Sequence, residues 1–378
     1  MGARRLPVVP RPYRDELLSS WLGRVACRYG LDAGRLSAVL VAGGEGGAAP
    51  ILIDDIAPAA GQLELLAPDC GVDPGRLRRL SLAWRHRERP RAWFLSQGPP
   101  WAPTPLRSPP VCLGCFEKDR AEGRDSYVRA DWLLAERCVC PAHRRLLRDR
   151  CPFCRHRLQF AFRLREFHGR LVCARCEQAL AGQGEEGGQR LDDAAVDGLL
   201  ALQKRVAAIA CGAPERRERL ERDLATLWAP LDDPGAARPA LALWFDEAGW
   251  RCPAEAQHAV GARFPLGLLP IGWRVVTLLA FHALFEAGDG AADGSQAAHL
   301  ARRATFAGRG SAVQLHRPNL LFGAETRRPC QDYQRLAREI LAHPDWIAAA
   351  SLPQRRRGRV LARLMDAALA PASPSGPS

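Results

Sequence analysis

The sequence predicts a mostly α, multidomain fold, and three observations carry that prediction. Apolar residues recur at helical spacing through both ends of the chain, closely spaced Cys and His pairs crowd the middle, and Pro- or Gly-rich stretches separate the regions. A length of 378 residues with 47% hydrophobic content leaves room for two or three ordinary cores and excludes a wholly disordered chain. The expected domains are an N-terminal helical region over 1–105, a cysteine-rich module over 106–182, a helical domain over 190–370 and a disordered tail over 371–378.

From Arg14 to Tyr29, the residues Leu17, Leu18, Trp21, Leu22, Val25, Ala26 and Tyr29 mark one helical face, and Gly30 is placed to end the helix. Asp32 can then cap a second helix through Leu40. The junction is repeated downstream. Gly30-Leu31-Asp32-Ala33-Gly34-Arg35-Leu36 and Gly71-Val72-Asp73-Pro74-Gly75-Arg76-Leu77 share five of seven residues. Two readings stay open: an ordinary helix junction, or a helix-turn-helix-like unit with Arg35 or the Arg76, Arg78 and Arg79 cluster facing phosphate. Residues 84–101 interleave arginines with Trp84, Trp93, Phe94 and Trp101, and read as an aromatic rim between packed regions in preference to a base-stacking surface. Prolines from Pro99 to Pro110 mark a boundary.

The middle region holds Cys112-x-x-Cys115, Cys140-Pro-Ala-His143, Cys151-Pro-Phe-Cys154 and Cys173-Ala-Arg-Cys176. Two residues between donors let one tight turn present both to the same tetrahedral metal, which is the geometry of structural zinc. Two zinc ions are expected, one on Cys112, Cys115, Cys140 and His143, the other on Cys151, Cys154, Cys173 and Cys176. Cys138 lies two residues before Cys140 and is an alternative ligand to it, with Cys140 preferred for its spacing to His143. Alternation of Leu158, Phe160, Phe162 and Leu164, a turn at His168-Gly169, then Leu171 and Val172 predicts a hairpin, so the second set reads as a zinc ribbon. The isolated Cys27, Cys70, Cys211, Cys252 and Cys330 read as packing residues.

Four protein donors leave no open metal position for water or substrate, and no nucleophile-and-base constellation accompanies them. An enzyme is therefore not expected. Charge points to a different role. The net charge is +13 and almost entirely arginine, with lysine only at Lys118 and Lys204. Coding bias toward arginine is one explanation of the excess, so position decides. Residues 106–181 hold 16 Arg or Lys against 9 Asp or Glu, a balance of +7. Two zinc ions and seven thiolates leave about +4. Arg144, Arg145, Arg148, Arg150, Arg155 and Arg157 gather around the knuckles, where bound metal would hold them as a rigid phosphate-facing array.

After the Gly-rich linker 181–189, helices are expected over 192–210, 214–228, 271–287, 332–342 and 355–369, with a loop at 286–297. The last of these carries Arg355, Arg356, Arg357, Arg359 and Arg363, which read as a solvated face. The longest apolar stretch, Phe264 to Phe285, is broken by Pro265, Pro270, Arg274 and His282, so a buried helix and no membrane span is expected. The opening residues carry no apolar core followed by a small-residue cleavage site, so export is not expected, and thirteen cysteines suit metal binding in a reducing cytoplasm.

The order Cys-x-x-Cys, Tyr127-x-Arg129-x-x-Trp132-x-Leu134, Cys-Pro-x-His, Leu147 and Cys-Pro-x-Cys resembles the TniQ family of transposition proteins, related to the target selector TnsD. Pro10-x-Pro12 and Asp15-Glu16-Leu17-Leu18-Ser19-Ser20-Trp21-Leu22 resemble that family's opening motif, and the likeness covers about residues 8–180. It implies a non-catalytic role in choosing where a Tn7-like or mercury-resistance-type transposon inserts. The implied partners are double-stranded DNA, or a CRISPR effector complex bound to it, and an AAA+ ATPase that activates the transposase; a homodimer is compatible with this. The family commonly has glycine after a knuckle, where this chain has Arg144, Arg155 and Glu177. The alternatives are a zinc-dependent DNA-binding transcription regulator and, behind it, a metallohydrolase.

Overall fold

A computed structural model describes residues 6–41, 53–95, 109–181, 193–229, 256–282 and 342–352, with single positions beyond them. The expected linker from 182 onward, the loop at 286–297, the helix over 332–341, most of the one over 355–369, the tail, Trp101, Cys252 and Cys330 lie outside the described residues. Contacts divide the chain into two compact units, Met1–Gly187 and Gly188–Ser378.

In the first unit, α1 (Leu18–Cys27) begins four residues later than the apolar pattern suggests. Leu17 is extended and donates its N–H to the Val128 carbonyl, while Glu16 bridges Arg129, so a tertiary strand contact holds these residues out of the helix. The helix buries Leu18, Trp21, Leu22, Val25 and Ala26 in a core shared with Leu36, Leu63, Leu66 and Leu77. Those partners come from α2 (Ala33–Val41), α3 (Ala60–Cys70) and α4 (Pro74–Arg78), which a short helix α5 (Leu82–Arg85) follows.

The repeated junction has the same geometry twice. Gly30 and Gly71 adopt left-handed φ of 69° and 61°. Leu31 donates its N–H to the Ala26 carbonyl and Val72 to Ala67, both at 3.1 Å. The side chain of Asp32 then accepts the Arg35 N–H at 2.8 Å, and that of Asp73 accepts the Arg76 N–H at 2.9 Å. Each copy is a glycine helix stop followed at once by an aspartate helix start.

The aromatic stretch after α5 divides. Trp93 and Phe94 are buried and pair with the backbone of the cysteine module, where Ala135 donates to the Trp93 carbonyl and Leu95 to that of Leu133. Trp84 is 41% exposed beneath the Arg87 guanidinium, 4.0 Å from the ring centroid.

The module itself contains α6 (Leu113–Ala121), a small antiparallel pair β1 (Val139–Cys140) and β2 (Arg145–Leu146), and a hairpin of β3 (Phe160–Arg165) and β4 (His168–Cys173). The hairpin turn is at Glu166-Phe167, two residues before the expected His168-Gly169. Gly169 is in β4, where it serves close approach: a Cβ there would lie 3.3 Å from Cys27 Sγ.

In the second unit α7 (Asp193–Ala210), α8 (Pro214–Leu227) and α9 (Ile271–Phe281) fall close to the expected helices. Trp228, fully buried, donates its indole N–H to Thr277 Oγ1 at 3.0 Å and meets Trp273 edge-on. No helix among the described residues is long and apolar enough to cross a membrane.

Candidate metal centre

The backbone brings the four knuckles together in two groups. Cys112 precedes α6, Cys115 lies in its first turn, Cys140 ends β1, and His143 sits in the turn to β2. Cys151 and Cys154 occupy the turn before β3, while Cys173 ends β4 and Cys176 is in the turn after it. Pairing of β3 with β4 is therefore what joins the last two knuckles.

One donor atom from each of Cys112, Cys115, Cys140 and His143, and likewise from Cys151, Cys154, Cys173 and Cys176, lies within 4.8 Å of the others. A tetrahedral zinc with bonds of about 2.3 Å to sulfur requires sulfurs about 3.8 Å apart. The separations Cys115–Cys140, Cys151–Cys176 and Cys154–Cys173 are 3.7, 3.7 and 3.8 Å. His143 Nδ1 is 3.3 Å from Cys115 Sγ and 3.6 Å from Cys140 Sγ, the shorter edge that a nitrogen donor requires. Both groups fit a metal ion, and the thiolate-rich donors suit zinc.

Cys138 is fully buried but outside both groups, so of the two alternatives the geometry places Cys140 with the other donors. Hydrogen bonds from the Cys112 and Cys115 thiols push the Cys140 pKa down, while hydrogen bonds with Cys112 and Cys140, together with burial, push Cys115 up. At Cys173 burial raises the pKa, but the N–H groups of Cys176 and Arg175 and neighbouring thiols outweigh it and hold the thiol at about 7. One cysteine in each group, Cys140 and Cys173, is thus favoured as thiolate, while Cys112 and Cys151 are pushed up to about 11 and about 12 and Cys115 is raised as well. Cys27 and Cys70 lie outside both donor groups, and burial pushes their thiols up to about 11 and about 12, as suits packing residues.

Arg144, Arg155 and Glu177 stand where the knuckle turns into the left-handed region, with φ of 52°, 60° and 58°. Their N–H groups donate to the carbonyls of Cys140, Cys151 and Cys173. The turn is therefore retained without glycine, at a steric cost of about 1 kcal/mol for each residue. Gly114 meets a different demand, since a Cβ there would lie 2.8 Å from His143 Cδ2.

The residues that resemble the TniQ opening motif are absorbed in attaching α1 to this module. Fully buried Glu16 accepts from Arg24 at 2.6 Å and from Ser20, whose hydroxyl oxygen in turn accepts the Val128 N–H. Asp15 accepts from Tyr127 Oη, Ser19 donates to Asp55, and Trp21 donates to the Pro10 carbonyl. Arg129 forks onto buried Asp119 of α6 and stacks on Tyr127, and Trp132 meets Phe116 edge-on. Arg24 also reaches Asp125 at 3.0 Å, as does Arg28 at 2.8 Å. Asp125 further accepts the Gly169 N–H, which links α1 to the hairpin.

Sequence reading missed Arg24, Asp119, Asp125 and Gly114 as determinants of this module. Arg24 and Asp125 are 101 positions apart, and neither lies in a local motif that would pair them.

The arginines form two sets. Arg144, Arg150 and Arg155 are exposed around the knuckles, and Arg145, Arg148 and Arg157 are half-buried there. Arg150 and Arg157 face each other across an antiparallel bridge. Arg35, Arg76, Arg78 and Arg79 are exposed on the helical part, Arg35 beside Asp32 and Arg78 paired with Glu64.

Helices are bolted by buried ion pairs to two four-donor knuckle groups, each of which could hold a metal ion. Residues 7–147 match the family model of TniQ, so that stretch is similar to TniQ-family proteins. The match takes in the helices and the first donor group and stops before Cys151, whereas the resemblance read from the sequence ran on to about 180. No curated protein matches the chain. The family is one of non-enzymatic, transposition-associated proteins.

Proposed function

We propose that the protein is a transposition accessory factor that marks the insertion target, binding double-stranded DNA or a DNA-bound complex and recruiting an AAA+ transposition ATPase. The observation that carries the DNA arm is the facing pair Arg150 and Arg157, with exposed Arg155 in the turn between them. Three arginines held on one short turn and its bridge give a phosphate several donors within one rigid patch. Two structural zinc ions, one in each donor group, hold the turns that carry these arginines. The β3–β4 hairpin between the second pair of knuckles supports reading that part as a zinc ribbon.

The two matching helix stops and starts favour a second reading. Paired helix-turn-helix-like units would serve a zinc-dependent transcription regulator equally well, with Arg35, Arg76, Arg78 and Arg79 on phosphate. Such a regulator needs no ATPase.

The test is capture of a randomised duplex pool by zinc-loaded protein at low and near-physiological salt, with and without the ATPase. A motif that survives higher salt means direct reading of a target. Retention without a motif, lost as salt rises, means backbone contact only and a target chosen by a partner. No retention under either condition would remove the DNA arm. A sharp motif unaffected by the ATPase would favour the regulator.

A further inference from the structure

The tip of the β3–β4 hairpin is a poor turn that displays an aromatic ring. Glu166 and Phe167 take successive φ values of 50° and 63°, with Arg165 opposite His168. Two-residue hairpins with both central residues left-handed favour Asn-Gly, because a side chain with a Cβ is strained there. Phenylalanine is a costly occupant of such a position. It is also 90% exposed, so packing returns nothing for the strain.

The tip is nevertheless firmly held. Arg28 donates to the Phe167 carbonyl, Asp125 accepts the Gly169 N–H at 2.7 Å, and Ser126 donates to the Gly169 carbonyl at 2.9 Å. Arg170 donates to the Arg124 carbonyl from the same strand. Strain that persists under such bracing is a pointer to use.

We propose that Phe167 is a wedge that enters a DNA duplex between base steps while Arg163 and Arg165 lie along its phosphates. The apolar surface at the tip is Phe167 and the 47% exposed Leu164, far short of the roughly 800 Å² per partner that a stable protein interface buries. A single projecting apolar ring with cations beside it suits unstacking of a base step. The hairpin, 160–173, carries Arg163, Arg165 and Arg170 against Glu166 alone. Arg163 pairs with Glu177 at the surface, with both side chains about half exposed, and such a pair exchanges readily for phosphate. This wedge rests on the DNA-binding reading above and adds to it a means of deforming the target.

The experiment uses full-length, zinc-loaded protein and a duplex carrying 2-aminopurine at flexible TA steps, whose fluorescence rises on unstacking. Wild type should bind and raise the signal. Phe167→Gly and the double variant Glu166→Asn with Phe167→Gly should both bind about tenfold more weakly and abolish the rise. The double variant should melt at a higher temperature than wild type, which separates a lost contact from a lost fold. Wild-type binding that the variants leave unchanged, in affinity and fluorescence, would overturn the wedge alone and point to a protein pocket as the tip's partner. Failure of wild type to bind any duplex would overturn both the wedge and the DNA arm.

Discussion

Phe162 of the hairpin lies against Gly23 of α1 so closely that a Cβ on the glycine would be 2.3 Å from the ring. The helix of the opening motif and the strands joining the last two knuckles are thus interlocked at one point, beside the ion pairs of Asp125.

In an exposed helix interior, Gly→Ala stabilises by about 1 kcal/mol. At Gly23 the sign should reverse. Gly23→Ala is expected to destabilise the zinc-loaded protein by about 1–3 kcal/mol through overpacking. Adding Phe162→Ala should recover part of that loss, which a double-mutant cycle by chemical denaturation measures.

Asp125 gives the chain an acid limit. Burial raises its pKa, but the Gly169 N–H, Arg24 and Arg28 outweigh it and hold the carboxyl below the usual carboxylate range. A folded pKa below the unfolded one means the stabilisation is complete above about pH 4 and lost as pH falls further. Asp125→Asn should flatten that acid limb of the stability profile. It should also cost about 3–5 kcal/mol at neutral pH, since Arg24 and Arg28 are left against a neutral amide.

Gly114→Ala should act on the first donor group through His143. Zinc content should fall from two ions per chain to one, with the second group retained. Cys154→Ser should do the converse, and amide exchange should speed across β3 and β4 while α3 keeps its protection. Loss of neither ion in either variant would refute the two ligand sets.

The knuckle arginines can be removed without disturbing the knuckle, because glycine suits a left-handed position better than arginine does. Arg144→Gly and Arg155→Gly should leave melting within about 0.5 kcal/mol of wild type. Each should lower the salt slope of duplex binding by about one unit if its side chain meets phosphate. Glu177→Gly is the control, with the same turn and φ of 58° but the opposite charge, and should bind DNA no less tightly.

The four knuckles, the repeated Gly-x-Asp junction and the helices α7, α8 and α9 were legible in the sequence because each is set by local rules. Ligand spacing, a helix stop beside a helix start, and apolar periodicity all act within a few residues of one another. Only the tertiary structure decided that α1 starts at Leu18, that the hairpin turns at Glu166-Phe167, and that Arg24 and Ser20 meet Asp125 and Val128 across more than a hundred positions. A buried charge is stable only beside its partner, and close packing admits only one shape at each contact. Neither constraint leaves a periodic trace in the chain, so the residues that join the helices to the cysteine module show themselves only once the module is folded.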